Sequence, residues 1–280
     1  MSDSFQLTEQ QLSFFKTFGY LSFPGLMADR TSEIVDEFEA VWSERGGGHN
    51  GQHHDGTKRS CIVPFIDQRP YLCSLLDDPR ICGIAEALLG PDFNYMGSDG
   101  NYYAGDTQWH SDGWHKELRH IKIAFYLDPL TRDSGALRVI PGSHIREDRY
   151  ANELETHRSE SEVAWGVSGD QIPAVALETN PGDLVCFQHN LKHAAFGGGE
   201  NRRMFTINLC ERYPEDRIAE LEKYLEGFAR FWVERPYGSV MIDTAGNGRM
   251  RHLAQVMAHD GHVAALSEKM KMEMSEPSRG

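Results

Sequence analysis

Early in the chain, apolar positions recur at helical spacing. Leu12, Phe15 and Phe18 make a one-sided stripe. Ahead of it, Thr8 and Gln11 have the separation of a capping box, and Gly19 supplies a stop. Tyr20 to Phe23 reads as a short strand ended by Pro24-Gly25. A second stripe, Ile34, Phe38, Val41 and Trp42, follows the i, i+4, i+7, i+8 pattern of an amphipathic helix. Gly46 to Gly56 is too rich in glycine for a packed element and is expected to be a mobile loop. Arg59 to Phe65 predicts a strand, and two short helices carry the chain to about Leu89.

From Asn94 the period changes. Short apolar runs at 94–97, 101–104, 107–110, 119–127, 136–140, 173–177, 183–187, 193–196 and 202–210 alternate with turn signals such as Asp133-Ser134-Gly135, Asn180-Pro181-Gly182-Asp183 and Gly197-Gly198-Gly199. Strands of this length and spacing suggest a sandwich or barrel, and a double-sheet jelly roll accommodates them. The polar stretch 146–170 is expected to be irregular and to lie as a lid over the mouth of the roll. After Pro214 helical spacing returns in Ile218, Leu221, Leu225 and Phe228, a helix buttressing the outside of the sheet. Further helices are predicted over 249–258 and 263–273, with a frayed tail from Ser275. The fold class is mainly β with flanking helices. With no internal repeat and no low-complexity linker, residues 1–280 are expected to form one domain: a helical part over about 7–90, a jelly-roll core over about 94–210 and C-terminal helices over about 214–273.

Composition narrows the function classes. A net charge of −14 argues against a nucleic-acid or anionic-membrane surface. No apolar run approaches the roughly 18 to 20 residues of a membrane span, and the opening MSDSFQ lacks the basic and apolar regions of a signal peptide. The five cysteines include no C-x-x-C pair, as expected of free thiols in a reducing compartment. A soluble cytoplasmic protein is expected; its oligomeric state is left open.

The chemistry concentrates around His110-Ser111-Asp112. On an extended strand residues i and i+2 share a face, so an imidazole and a carboxylate can converge there. Two histidines and one carboxylate with open positions form the facial set of non-haem Fe(II) oxygenases. A competing His-x-Asp, His53 and Asp55, lies beside His49 and His54 in the glycine-rich loop, where nothing rigid would hold a metal. The third ligand is expected from a strand far downstream: His193 is preferred, and His189, where a strand would be turning, is its rival. Arg202 and Arg203 begin another strand, and a guanidinium there could clamp a carboxylate bidentately. Alternation puts Arg202, Met204, Thr206 and Asn208 on one face and Arg203, Phe205 and Ile207 on the other; the second set is the more apolar and should meet the helices, which makes Arg202 the inward choice, although a register error of one would exchange the two. Tyr103, Gln108, Trp114 and Arg138 are candidates for lining a pocket, an inward Arg138 favouring an anionic group. His115 and His120 read as surface or supporting groups, and His144 as part of a turn.

These segments carry a resemblance. LTEQQLSFFKTFGYLSFPGLM, then WHSD, DSGALRVIPGSH and NPGDLVCFQHNLKHAAFGGGENRR, in this order over roughly residues 7 to 210, resemble the phytanoyl-CoA dioxygenase family of Fe(II)- and 2-oxoglutarate-dependent oxygenases. The resemblance implies a double-stranded β-helix in which His110, Asp112 and His193 hold iron and Arg202 binds the distal carboxylate of 2-oxoglutarate. It also implies O2 as oxidant, succinate and CO2 as products, and hydroxylation of an unactivated C–H of a small organic molecule. Many relatives have a serine two residues after the second histidine, where this chain has Ala195; Thr107, Gln108 or Tyr103 is expected to replace that contact. Asp112 argues against the halogenating relatives, which have Gly or Ala there. Beyond WHSD, the residues GWHKELRH depart from the ectoine hydroxylase signature, so that substrate is not implied. A cupin-like isomerase or dioxygenase that ignores 2-oxoglutarate would have no need of Arg202, and a non-catalytic sensor would have no need of the full ligand set.

Overall fold

The computed structural model describes residues 5–279. The helical opening comprises α1 (Glu9–Phe18), β1 (Tyr20–Phe23), α2 (Thr31–Arg45), β2 (Ser60–Ile62), α3 (Pro70–Cys73) and α4 (Pro79–Leu89). The central part runs β3 (Asn94–Tyr103), β4 (Thr107–His110), β5 (His120–Tyr126), β6 (Leu137–Val139), α5 (Arg149–His157), α6 (Ser161–Trp165), β7 (Val175–Leu177), β8 (Leu184–Gln188), β9 (His193–Ala195) and β10 (Arg202–Cys210). Four helices close the chain: α7 (Ile218–Leu225), α8 (Ser239–Asp243), α9 (Asn247–His259) and α10 (Val263–Glu273). The Thr8 hydroxyl accepts from the Gln11 amide while the Gln11 side chain accepts from Thr8, and Gly19 ends α1 in the left-handed region.

Two antiparallel sheets form the core, a six-stranded one in the order β1-β8-β5-β10-β3-β2 and a four-stranded one in the order β4-β9-β6-β7. The larger sheet is buried on both faces, and residue parity divides its side chains. Ile121, Ile123, Phe125, Phe205 and Ile207 point to the helices, where they meet Phe38, Phe65, Leu221 and Leu225. Ala124, Tyr126, Val185, Phe187 and Met204 point the other way and pack with Leu137, Val139 and Leu177 of the smaller sheet. This is the jelly roll, with helices on one flank.

Several expectations are corrected. The two strands anticipated at 94–97 and 101–104 are one, β3, because Gly97 at φ +90° absorbs a bulge against β10 where the register shifts between Ile207 and Leu209. Residues 146–170 contain helices rather than irregular chain: the Asp148 side chain caps α5. Nor do they form a lid over the mouth, since Leu154, Trp165 and Val167 pack on the outer face of the smaller sheet with Trp109, Ala194 and Phe196. The tail is docked, not frayed, and it ties down the glycine-rich loop: the Glu276 carboxylate lies 2.8 Å from His49 Nδ1 and accepts from the Asn50 amide, and Arg279 donates to the Gly48 carbonyl. Among the described residues no helix is long and apolar enough to cross a membrane.

Helix α5 is anchored through a buried charge. Lys192 is fully buried, its ammonium 2.8 Å from Glu155 and donating to the Ser143 and Asn190 carbonyls. Glu155→Ala leaves that ammonium without its carboxylate and is expected to lower stability by about 1–3 kcal/mol, read as a shift in the urea midpoint. A second buried acid gives a pH signature. Asp67 accepts from the Tyr95 hydroxyl at 2.7 Å and the Gly238 amide at 2.9 Å, and burial pushes its pKa from 3.8 up to about 6. Because the folded chain holds this proton more tightly than the unfolded one, the stabilisation is full below the unfolded value and is lost as pH rises through the folded value. Stability should therefore fall by up to about 3 kcal/mol between roughly pH 4 and 6 from this group, and urea unfolding of Asp67→Asn should lack that slope.

Candidate metal centre and its cavity

Strands β4 and β9 pair antiparallel with His110 directly opposite His193, which sends both imidazoles out of the same face of the smaller sheet. Their ring centroids are 4.2 Å apart. Each ring is oriented in the same way: His110 Nδ1 lies 2.8 Å from the Gln108 carbonyl, and His193 Nδ1 lies 2.8 Å from the Leu191 carbonyl. A carbonyl can only accept, so Nδ1 carries the hydrogen in both rings and the Nε2 lone pair is left for a metal. Asp112 follows β4 and brings Oδ2 to 3.6 Å from His193 Nε2. One donor atom from each of the three residues lies within 4.8 Å of the others.

Charge in the cluster suits a divalent cation. Burial raises the Asp112 carboxyl, but the Lys122 ammonium 2.9 Å away and the neighbouring histidines outweigh it and hold the carboxyl well below the usual carboxylate range. Burial, with His110 nearby, pushes His193 down to about 3, and burial lowers His110 as well. At neutral pH the set is two neutral nitrogen donors and one carboxylate, which fits a facial non-haem Fe(II) site.

The cluster opens on a cavity of about 520 Å³ between the sheets. Arg202 points into it and is 9% exposed; its guanidinium donates to the Gly135 and Gly105 carbonyls and lies 5.4 Å from the Tyr103 ring. Arg203 touches the wall, but its guanidinium turns to Asp128 at 2.6 Å and to Glu39 at 2.7 Å. Tyr103 and Thr107 line the cavity, and Thr107 stands opposite Ala195 in the β4–β9 register.

Other candidates lie elsewhere. Gln108 is exposed and is not part of the wall. Trp114 is outside the cavity, where its ring covers the Lys192 ammonium at 3.5 Å. Arg138 is on the outer face of β6, opposite in parity to the inward Leu137 and Val139; it donates to the Asp170 and Arg132 carbonyls and stacks over Phe196 at 5.1 Å. In the glycine-rich loop, Asp55 bonds Thr57, and His54 is held by Ser60 and the Glu200 carbonyl. The polar floor of the cavity includes Arg59, Asp99 and Lys122, none of which the sequence pattern singled out, beside Asn208, which alternation had put on the inward face with Arg202. Lys122 was detectable, since it shares the inward parity of Ala124 and Tyr126 on β5.

Comparison with known proteins agrees with this architecture. A family model described as phytanoyl-CoA dioxygenase (PhyH) matches residues 16–204. The ectoine dioxygenase of Sphingopyxis alaskensis is 29% identical over 164 residues, 49% of this chain and 52% of that protein. The chain thus spans about half the length of this curated relative. Among solved structures, the α-ketoglutarate-dependent carbocyclase SnoK from nogalamycin biosynthesis superposes with a TM-score of 0.58 at 21% identity, over 73% of this chain and 84% of that one. EctD from S. alaskensis with 2-oxoglutarate and 5-hydroxyectoine gives a TM-score of 0.57 at 21% identity, over 75% and 78%. At these identities the superpositions speak to the fold alone, a jelly roll. With its model matched across most of the sheet core, the phytanoyl-CoA dioxygenase family is the one to which this chain belongs.

Proposed function

We propose that the protein is an Fe(II)- and 2-oxoglutarate-dependent dioxygenase that hydroxylates an unactivated C–H of a small organic molecule and releases succinate and CO2. The observation that carries this reading is the convergence of His110, Asp112 and His193 on one side of a cavity that Arg202 enters from a different sheet. His110, Asp112 and His193 would hold the metal. Iron bound there would supply O2 activation coupled to oxidative decarboxylation of the keto acid. The chain's own part is binding and orientation. Arg202 would take the distal carboxylate of 2-oxoglutarate; two of its donors are held on backbone carbonyls and its buried Nε has no partner among the described residues. Thr107, opposite Ala195 in the register, would offer the hydroxyl that relatives draw from serine.

A cavity of about 520 Å³ that must also hold the co-substrate has little room for a long acyl chain and its thioester carrier. With Asp99, Lys122 and Asn208 on its floor and Tyr103 in its wall, it suits a small polar substrate. Five free thiols, four of them buried, suit a reducing compartment such as the cytoplasm.

The test has a binding arm and a turnover arm. Anaerobic titration of the Fe(II)-loaded protein with 2-oxoglutarate, followed by the visible charge-transfer absorption of the chelate, should give saturable binding. Arg202→Ala should weaken it by about 1.5–3 kcal/mol, roughly 10- to 150-fold, whereas Arg203→Ala should leave it nearly unchanged. Succinate should form only with added 2-oxoglutarate and be lost in His110→Ala. Equal weakening by both arginine changes, or succinate formation that ignores the His110 change, would sink the assignment.

A further inference from the structure

A second cluster of histidines neighbours the first, and one of its members, His189, also lines the cavity. His115, from the segment between β4 and β5, stacks on His120 at the start of β5, with 3.6 Å between centroids and 4° between planes. His189, just after β8, lies 5.7 Å from His115 and 5.5 Å from His120. One ring nitrogen from each of the three lies within 4.8 Å of the others. His120 and His189 are 2% and 3% exposed.

These rings are poorly satisfied. Among the described residues, His115 Nε2, His120 Nδ1 and both ring nitrogens of His189 are buried without a partner in hydrogen-bond geometry, although the Asn208 side chain is near enough to act on His189. Buried polar atoms normally have partners, and a group of orphans brought close together marks a place for a water or an ion. The surroundings hold the cluster in register. The Tyr213 hydroxyl lies 2.9 Å from His120 Nε2 and fixes that ring. The Asn190 side chain accepts from the His115 amide at 2.7 Å and donates to the His115 carbonyl at 2.8 Å. The His189 amide donates to the His120 carbonyl, and the Gly113 amide donates to the His189 carbonyl. Burial lowers all three imidazoles, His115 to about 4 and His189 to about 3. They are neutral at neutral pH, as ligation requires.

We propose that His115, His120 and His189 form a second metal site, distinct from the His110–Asp112–His193 centre, that takes a borderline divalent ion of the Zn2+ class through three imidazoles. An all-nitrogen set without a carboxylate selects zinc, cobalt or copper over magnesium or calcium. Three histidines and a water make a four-coordinate zinc sphere. Zinc–nitrogen bonds of about 2.1 Å, with the ion in the plane of each ring, require the stacked His115 and His120 rings to fan apart. Rotation of the half-buried His115 ring achieves this with its backbone still clamped by Asn190. The ion would join three points: the segment that also carries Asp112, the start of β5, and the turn that leads into His193. Its role is to stiffen the scaffold from which two ligands of the first centre project.

Metal-free protein titrated with Co2+ and then Zn2+ tests this without reference to turnover. The wild type should bind two equivalents. His110→Ala should keep one, with the intense visible bands of four-coordinate cobalt, and Zn2+ should displace it and raise the unfolding temperature. His115→Ala, a change on a half-buried segment, should lose that equivalent and its bands while retaining the 2-oxoglutarate-responsive one. His189→Gln should do the same, which guards against a folding defect in either variant. A His110→Ala protein that binds no cobalt, or whose bound cobalt survives addition of His115→Ala, overturns the proposal.

Discussion

The pairing of two short strands, β4 at the edge of the smaller sheet and β9 beside it, is the constraint on which the functional geometry rests. Placing His110 directly across from His193 fixes the separation and facing of two imidazoles through the backbone ladder, with no dependence on flexible side chains. The same backbone sets their tautomers, because each Nδ1 meets a carbonyl two residues back in sequence. A slip of one residue in this register would turn one ring to the outer face, where Trp109 and Ala194 now pack.

Around this pair the larger sheet supplies charge. Lys122 on β5 reaches Asp112, and Asp99 on β3 lies near enough to act on the same ammonium while bonding Thr206 and Asn101. Burying a lysine between two carboxylates keeps all three ionised in a region that would otherwise neutralise them. The carboxylate of Asp112 is therefore held charged by its neighbours. On the far side Arg202 has no carboxylate partner among the described residues, while adjacent Arg203 has two. Alternation along one strand thus produces one arginine committed to structure and one with capacity for an anion.

Much of this was legible in the sequence where information is local or periodic. The capping box of α1, the stripe of α2 and the parity of β10 follow from spacing alone, and a nine-residue strand carries enough alternation to separate Arg202 from Arg203. The errors fall where phase is undefined. β6 spans three residues, too few for a period to reveal that Arg138 faces outward. Trp114 lies between strands, where no period applies, and its partner Lys192 is distant in sequence. His115 and His120 looked peripheral because their grouping depends on His189, from another strand end. Lys122 was passed over because a lysine in an apolar run suggests a solvent edge, while β5 is an interior strand with β8 on one side and β10 on the other.

Gly97 has a consequence beyond the bulge it permits. A Cβ there would meet the ring of Phe228 at 2.9 Å, so the missing side chain is what lets Phe228, together with Tyr224 of α7, press against the sheet and close one end of the cavity. Both aromatics lie past residue 204, outside the stretch matched by the family model. The molecule is in this sense modular: the sheets carry the ligand set, and a separately encoded helical cap shapes the space beside it. Selection can reshape that space by altering the cap while every ligand stays where it is.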